Sequence, residues 1–582
     1  MAMNKKWTVL ALASMLTIMS ACSSNNGANN GNEAGGNKEA ATNANAGGNN
    51  AAAPADTAEK PDPFGKYPET VEFTTVRPIG NNPQFPDGQS YEENDYNTFM
   101  QDQLNVKPKF VWTAPQDGFA YKKKLELAIN GNDIPDIFEI TGTPTDIQAT
   151  LKRLVDADMI EDLTSAYEDY ASPLVKDSFA NQGNQVLDLF KIDGKQYAMP
   201  QQTSLENFNF VWIRDDWRKK LNLPEPKTMD DVLAIGKAFK EKDPFGGGKT
   251  VPFAMQMESE PAGLFGPGFL FDQFEAYPRL FYKDASSNIA YGGIQPGIKD
   301  ALKIMSQMYK DGLLEKDFAL KDTGKLQELL ASGRAGIVGQ AWWGVWYPLF
   351  MTLQNVPDAD WKPYAIPAKT NGKINFGTTL PVGDVIVVKK GFEHPELPVK
   401  WLNVYNENRK GEFFLKLSQE TFKDANDKAP ILWGLTIAPG DEILNSAKQI
   451  VGAVKGEIDA ATLPFTNKDA FNNIKQYIDE LQDQPQAPSK NMLQWQNTRS
   501  WYDAMGGASG YELNVVYSAF DGQTPTMEKK LTALNDLQMK AYHSIIMKST
   551  DIDADFDKFV SDWKAQGGDQ IITEITEALA NK

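Results

Sequence analysis

Two hydrophobic periods alternate along this chain. Thr70–Val76 places apolar residues on alternate positions, as a half-buried strand does, and Asn94–Leu104 repeats them at helical spacing. The pattern recurs. Val106–Trp112 predicts a strand, Gly118–Asn130 an amphipathic helix, and Asp136–Thr141 a third strand ending in the turn Gly142-Thr143-Pro144. Strand and helix in succession at this spacing predict βαβ units, hence a parallel sheet with helices on its faces. Ligands of such sheets sit beyond the carboxyl ends of the strands, which makes Glu139 to Thr143, and Glu139 and Thr141 in particular, a candidate binding turn.

Further on, Asn209–Arg214 predicts a strand running into the helix Asp215–Leu221, while Asp230–Asp243 and Ile298–Gly312 predict two more helices. Gly333–Gly339 reads as a strand of small residues leading to Gln340-Ala-Trp342-Trp343-Gly-Val-Trp346. Val382–Val388 has the near-continuous apolar run of a strand covered on both faces. The last third is mostly helical in pattern, notably Met527–Met547 and Ile552–Gln566.

The amino terminus follows neither period. Lys5 and Lys6 precede the apolar stretch Trp7–Met19, and Ser20-Ala21 brings small residues before Cys22, the three parts of a secretory signal. A stretch of thirteen residues spans about 20 Å as a helix, too short for a hydrocarbon core of roughly 30 Å. Met19-Ser-Ala-Cys22 resembles a bacterial lipobox, which implies that Cys22 carries the lipid anchor. Between Ser23 and Lys60, 27 of 38 residues are Asn, Ala or Gly, with no Val, Leu, Ile or aromatic residue to offset ordering entropy. Such a coil reaches about 35 Å, a tether for the folded body.

Composition removes several function classes. The 582 residues carry 77 acidic and 58 basic side chains, a formal charge of −19, so a phosphate backbone would be repelled. One cysteine excludes internal disulfides and Cys-based zinc cages, and two histidines, His394 and His543, leave little for metal or acid–base centres. No cofactor is expected.

Four segments carry a resemblance. They are Asp193-Gly-Lys-Gln-Tyr-Ala-Met-Pro200; Trp212-Ile-Arg-Asp-Asp-Trp217 with Leu221-Asn-Leu-Pro224; Gly333-Arg-Ala-Gly-Ile337 before the tryptophans; and His543-Ser-Ile-Ile546 with Asp555-Phe-Asp557 and Trp563. From about Tyr67 onward the chain resembles the carbohydrate-binding (maltose-binding-like) solute-binding proteins of ABC importers, long Gram-positive lipoproteins and alginate-oligosaccharide binders especially. The resemblance implies a two-lobed α/β fold of the type II periplasmic-binding-protein kind, with ligand in the interlobe cleft and a helical C-terminal region. Signal 1–22, tether 23–66, lobe one 67–203 with 378–425, and lobe two 204–377 with 426–582 are the expected divisions. A single copy on the extracellular face, a carbohydrate ligand and a membrane permease as partner follow from the same resemblance. So does the expectation that the protein is not an enzyme.

A sugar needs aromatic faces for its rings and polar side chains for its hydroxyls, because a buried unpaired group costs about 1–3 kcal/mol. Trp342, Trp343 and Trp346 lie within five residues of one another; on a helix Trp342 and Trp346 would share a face. The resemblance places a stacking tryptophan at Trp342 and a sugar-binding glutamate at Glu206. Gln201, Gln202 and Asn207 are polar neighbours in the same crossover, and Trp433, Trp495 and Trp501 are reserve candidates in non-strand segments. Trp212, Trp217, Trp401 and Trp563 read as core. Relatives often carry a calcium loop where this chain has Asp243-Pro-Phe-Gly-Gly-Gly-Lys249; one aspartate cannot supply six to eight oxygens, so no metal is expected. The rival reading, a surface glycoside hydrolase, would need two carboxylates about 5–10 Å apart.

Overall fold

The computed structural model describes residues 61–79, 85, 87–115, 119–205, 208–257, 265–423, 431–484 and 486–580. The signal, Cys22, most of the tether, Glu206 and Asn207 lie outside them. No described helix is long and apolar enough to cross a membrane.

In the first lobe, Val71–Ile79 (β1) and Val106–Pro115 (β2) pair in parallel from Val71↔Val106 to Ile79↔Pro115, with a bulge after Thr75. Ile137–Ile140 (β3) lies beside β1. A tight hairpin, Lys191–Ile192 (β4) and Lys195–Gln196 (β5), leads to Met199–Gln202 (β6). The second lobe holds Phe210–Arg214 (β7), Val251–Phe253 (β8), the hairpin Phe281–Lys283 (β9) with Ile289–Tyr291 (β10), Ala335–Gln340 (β11) and Trp361–Tyr364 (β12). Its main sheet has the order β12-β7-β11-β8. Ile374–Thr378 (β13) then leads back into the first lobe as Val382–Val388 (β14), which inserts between β3 and β6, antiparallel to both. Leu513–Tyr517 (β15) pairs in parallel with β13.

The apolar run of β14 is explained by burial on two faces. Val385 and Val387 pack with Phe138, Ile140 and Leu151, while Ile386 and Val388 pack with Ile137, Phe73 and Trp401. The second lobe repeats the logic: Val211, Ile213 and Ile337 face the helices Pro296–Lys310 and Pro525–Lys548, and Phe210, Trp212 and Val338 face Glu442–Val454 and Met492–Asn497. Helix starts follow their caps. Asn94 accepts from the Asn97 amide, Thr143 precedes Pro144 and accepts from Asp146, and Thr228 with Asp231 forms a reciprocal capping box. The tryptophans read as core are core: Trp212, Trp401 and Trp563 are fully buried and Trp217 nearly so.

Three crossovers join the lobes, at 203–209, 379–381 and 438–441, and they are laced together. The Thr203 amide donates to the Pro381 carbonyl at 2.9 Å and Leu205 to Gly440 at 3.0 Å. The third crossover falls later than expected. Leu432, Trp433, Leu435 and Ile437, which a boundary at 425 would give to lobe two, are buried in the lobe-one core around Phe73 and Trp401. Their alternate apolar pattern fits either lobe; pairing of Ile437 with Gln202 decides it.

Candidate ligand cleft

The crossovers fix which ends of the sheets face each other. The chain leaves lobe one after Gln202 and re-enters at Val382, residues that pair with one another, so the carboxyl ends of β1, β2, β3 and β6 face lobe two. In lobe two Phe210 pairs with Gln340, which puts the end of β11 at the edge facing lobe one. The lobes also touch directly: the Thr145 hydroxyl, in the first turn of the helix Pro144–Asp156, donates to the Asp521 carbonyl at 2.7 Å.

After Gln340 the chain makes a run of turns rather than a helix, so helical facing does not apply to its tryptophans. The Trp212 indole donates to the carbonyls of Gln340 and Ala341 at 3.3 and 3.1 Å and anchors the turn from beneath. A Cβ at Gly344 would sit 3.0 Å from that indole, which is why a glycine lets the turn lie so close. Trp342 points inward, only 5% exposed, with its ring 4.8 Å from that of Trp501. Trp343 and Trp346 stay half-buried at the margin of the same core and present the open aromatic surface. Two donors remain without an acceptor here, Nε2 of Gln340 and Nε1 of Trp342.

The lobe-one edge is carboxylic. Glu139, on β3, and Asp384, on β14, are largely buried side chains, partly open to solvent and hydrogen-bonded to each other. Burial raises the Glu139 carboxyl well above the usual carboxylate range, Asp384 raises it further, and Arg77 opposes them. Burial likewise pushes Asp384 up to about 6, against the Glu139 hydrogen bond and the Gly142 amide, which lower it. Two like charges in contact keep one proton between them. The Tyr121 hydroxyl donates to the Glu139 carbonyl at 2.7 Å and fixes this end of the strand. Thr141 is half-exposed beside them.

A second polar group lies where β7 and β13 begin. Asn209 donates to Asp272 at 3.2 Å, and Asn375 donates to the Asp272 carbonyl at 3.0 Å while accepting from Asn514 at 2.9 Å. Burial holds the Asp272 carboxyl well above its ordinary range. The cavity they line with Gln273 is about 10 Å³, room for one water.

Several sequence candidates lie elsewhere. Gln202 is fully buried at the hinge, where its amide donates to the carbonyls of Ser178 and Ala438 at 2.6 and 2.9 Å. Gln201 lies over Gly383, whose hydrogen leaves room for the amide oxygen. Trp433 is 2% exposed, stacked on Phe73 at 5.2 Å, and Trp495 is fully buried with its indole donating to Asp360 at 2.9 Å. Both belong to cores because distant segments cover them. Asp384 was legible but passed over: it is an acid in an otherwise apolar strand. Asp243 spends its oxygens on its own loop, accepting from Gly248 at 2.6 Å and from the Thr250 amide and hydroxyl at 3.1 and 2.6 Å. Gly246, Gly247 and Gly248 supply the left-handed backbone that loop requires. Among the described residues no group of three His, Cys, Asp or Glu could hold a metal.

Comparison with known proteins settles the family. The model of the bacterial extracellular solute-binding proteins matches residues 82–412, more than half of the chain. The chain belongs to that family. This solute-binding protein is 31% identical over 146 residues to the polygalacturonan/rhamnogalacturonan-binding protein YtcQ of Bacillus subtilis, 25% of this chain and 28% of the relative. It is 27% identical over 224 residues to the fructooligosaccharide ABC transporter substrate-binding protein FusA of Streptococcus pneumoniae serotype 4, 35% of this chain and 39% of the relative. The matches thus span well under half of these relatives. An extracellular solute-binding protein from Bifidobacterium longum subsp. infantis shares the fold, with a TM-score of 0.56 at 14% identity over 87% of this chain and 97% of that one. Nothing in these comparisons favours the hydrolase, and carboxyls in hydrogen-bond contact are closer than the roughly 5 Å a retaining hydrolase needs.

Proposed function

We propose that this solute-binding protein captures an oligosaccharide between its lobes and hands it to the permease of an ABC importer. The observation that carries this reading is the pairing of two unlike walls at the interlobe edge. Half-buried Trp343 and Trp346 offer faces for sugar rings on lobe two, while Glu139, Asp384 and Thr141 offer hydroxyl partners on lobe one. The names of YtcQ and FusA support the ligand class. Ligand touching both walls stabilises the closed arrangement by its differential contacts, and the crossovers absorb the rotation. No bond is broken; the energy for transport comes from the partner. Cys22 and its tether would hold a single copy on the outer face of the membrane. Cys22→Ala should then appear in the medium.

Thermal denaturation with a panel of probes tests the ligand class: 1-kestose, maltotriose, cellotetraose, xylotetraose and digalacturonate. Ligand at 100 times its Kd stabilises the fold by about 2.7 kcal/mol, so at least one probe should raise the melting temperature. A flat response to all of them, or their turnover, overturns the proposal.

A further inference from the structure

Where β2 gives way to its helix, Phe119 departs from two local rules together. Its side chain is 70% exposed. Its backbone, at φ +63°, is left-handed, a conformation that suits glycine or asparagine and penalises a bulky ring. More than half of the other non-glycine residues described in that region are Asn or Asp; the other aromatic ones, Phe265 and Trp433, are buried in cores, which accounts for their placement. Among the described residues no core cluster includes Phe119. An exposed apolar ring contributes little to folding, and strained backbone gathers at ligand clamps, where the surroundings impose it.

On its helix side Phe119 adjoins residues with defined partners. Phe119 is the residue from which the helix Ala120–Asn130 starts, four positions after β2 ends at Pro115, on the edge of lobe one that faces lobe two. Tyr121 ties that helix to the end of β3 through the Glu139 carbonyl. Lys122 ties it to Asp146 at 3.0 Å, in the first turn of the helix whose Thr145 reaches Asp521 of lobe two. Phe119 therefore opens a helix tied to the same elements of lobe one that reach lobe two.

We infer that Phe119 is a stacking platform on lobe one for a sugar ring, separate from the tryptophan surface on lobe two, so that the ligand has at least two rings held on different lobes. This rests on the sugar reading above. Isothermal titration of wild type, Phe119→Ala and Phe119→Gly with the panel oligosaccharide that wild type binds most tightly tests it, alongside melting curves without sugar. Both variants should melt at or above the wild-type temperature, because the ring is mostly exposed and glycine relieves the backbone. Affinity should fall about tenfold, as for loss of an aromatic contact. Melting several degrees lower would mean that the ring is structural, and unchanged affinity would mean that it meets no ligand; either result overturns the inference alone. Wild type that binds no probe overturns the sugar reading and this inference together.

Discussion

Two charge clusters sit near the boundary between the lobes, and they are built on opposite plans. At the third crossover, Glu442 opens a helix packed in the lobe-two core, yet its carboxylate receives Arg409 at 2.5 Å and Lys410, both just past the lobe-one helix Leu397–Asn408. All three are at least nine-tenths buried, and opposite charges offset one another's desolvation. At the cleft edge, Glu139 and Asp384 put like charges in contact, opposed by Arg77 beside Glu139 and by the Gly142 amide at Asp384. The hinge cluster is arranged to hold the lobes. The cleft cluster is arranged at a cost to the fold, which is how groups that wait for a ligand are commonly found.

Breaking the hinge cluster should have the largest effect. Glu442→Ala leaves two buried cations without their carboxylate and should cost about 3–5 kcal/mol in guanidinium unfolding. Truncating an acid of the cleft pair should cost nothing of that order. If Glu442→Ala unfolds like wild type, the hinge cluster is not what pins the lobes and the contrast dissolves.

The same division sharpens among the tryptophans. Trp343→Ala removes a half-open ring from the cleft edge and should weaken oligosaccharide binding by about 2 kcal/mol with little change in unfolding free energy. Trp342→Ala should show the reverse balance, a loss of about 3–5 kcal/mol in stability, because its ring is packed against Trp501. Titration and unfolding of both variants check the assignment. Equal binding losses would mean that the inward ring moves out to meet the ligand.

That inward turn marks the limit of what the sequence could say. Strand and helix periods located β1, β2, β3, β7, β11 and β14, because that signal is local. Solvent exposure of an indole is not local. Trp342 and Trp343 are adjacent, and only packing against Trp501, more than 150 residues away, separates them. Trp433 looked like a loop aromatic until Phe73 covered it. Pairing of β13 with β15 likewise joins residues 139 apart, with nothing in either segment to announce the other. The rule about strand ends singled out Glu139, which does lie near the carboxyl end of β3, yet its partner Asp384 arrives on a strand from beyond the second lobe.

The smallest expected effect is the most diagnostic for the cleft pair. Both folded-state carboxyls are raised, so the stability they contribute is full below their unfolded values near 4 and is lost as pH rises through the folded ones, about 6 for Asp384 and well above the ordinary glutamate range for Glu139. Glu139→Gln keeps a hydrogen-bond donor toward Asp384, much as the protonated acid does, but cannot ionise in the unfolded chain. The variant should therefore match wild type near pH 4 and become progressively more stable than it as pH rises. The limiting slope is about 1.36 kcal/mol per pH unit, and the partial solvent contact of these side chains reduces the total to about 1 kcal/mol at pH 7. Denaturant unfolding of both proteins between pH 4.5 and pH 8 measures the difference. A difference that stays flat across that range would mean that the carboxyls ionise independently; the cleft would then carry two ordinary acids, and its contrast with the Glu442 cluster would be one of burial alone.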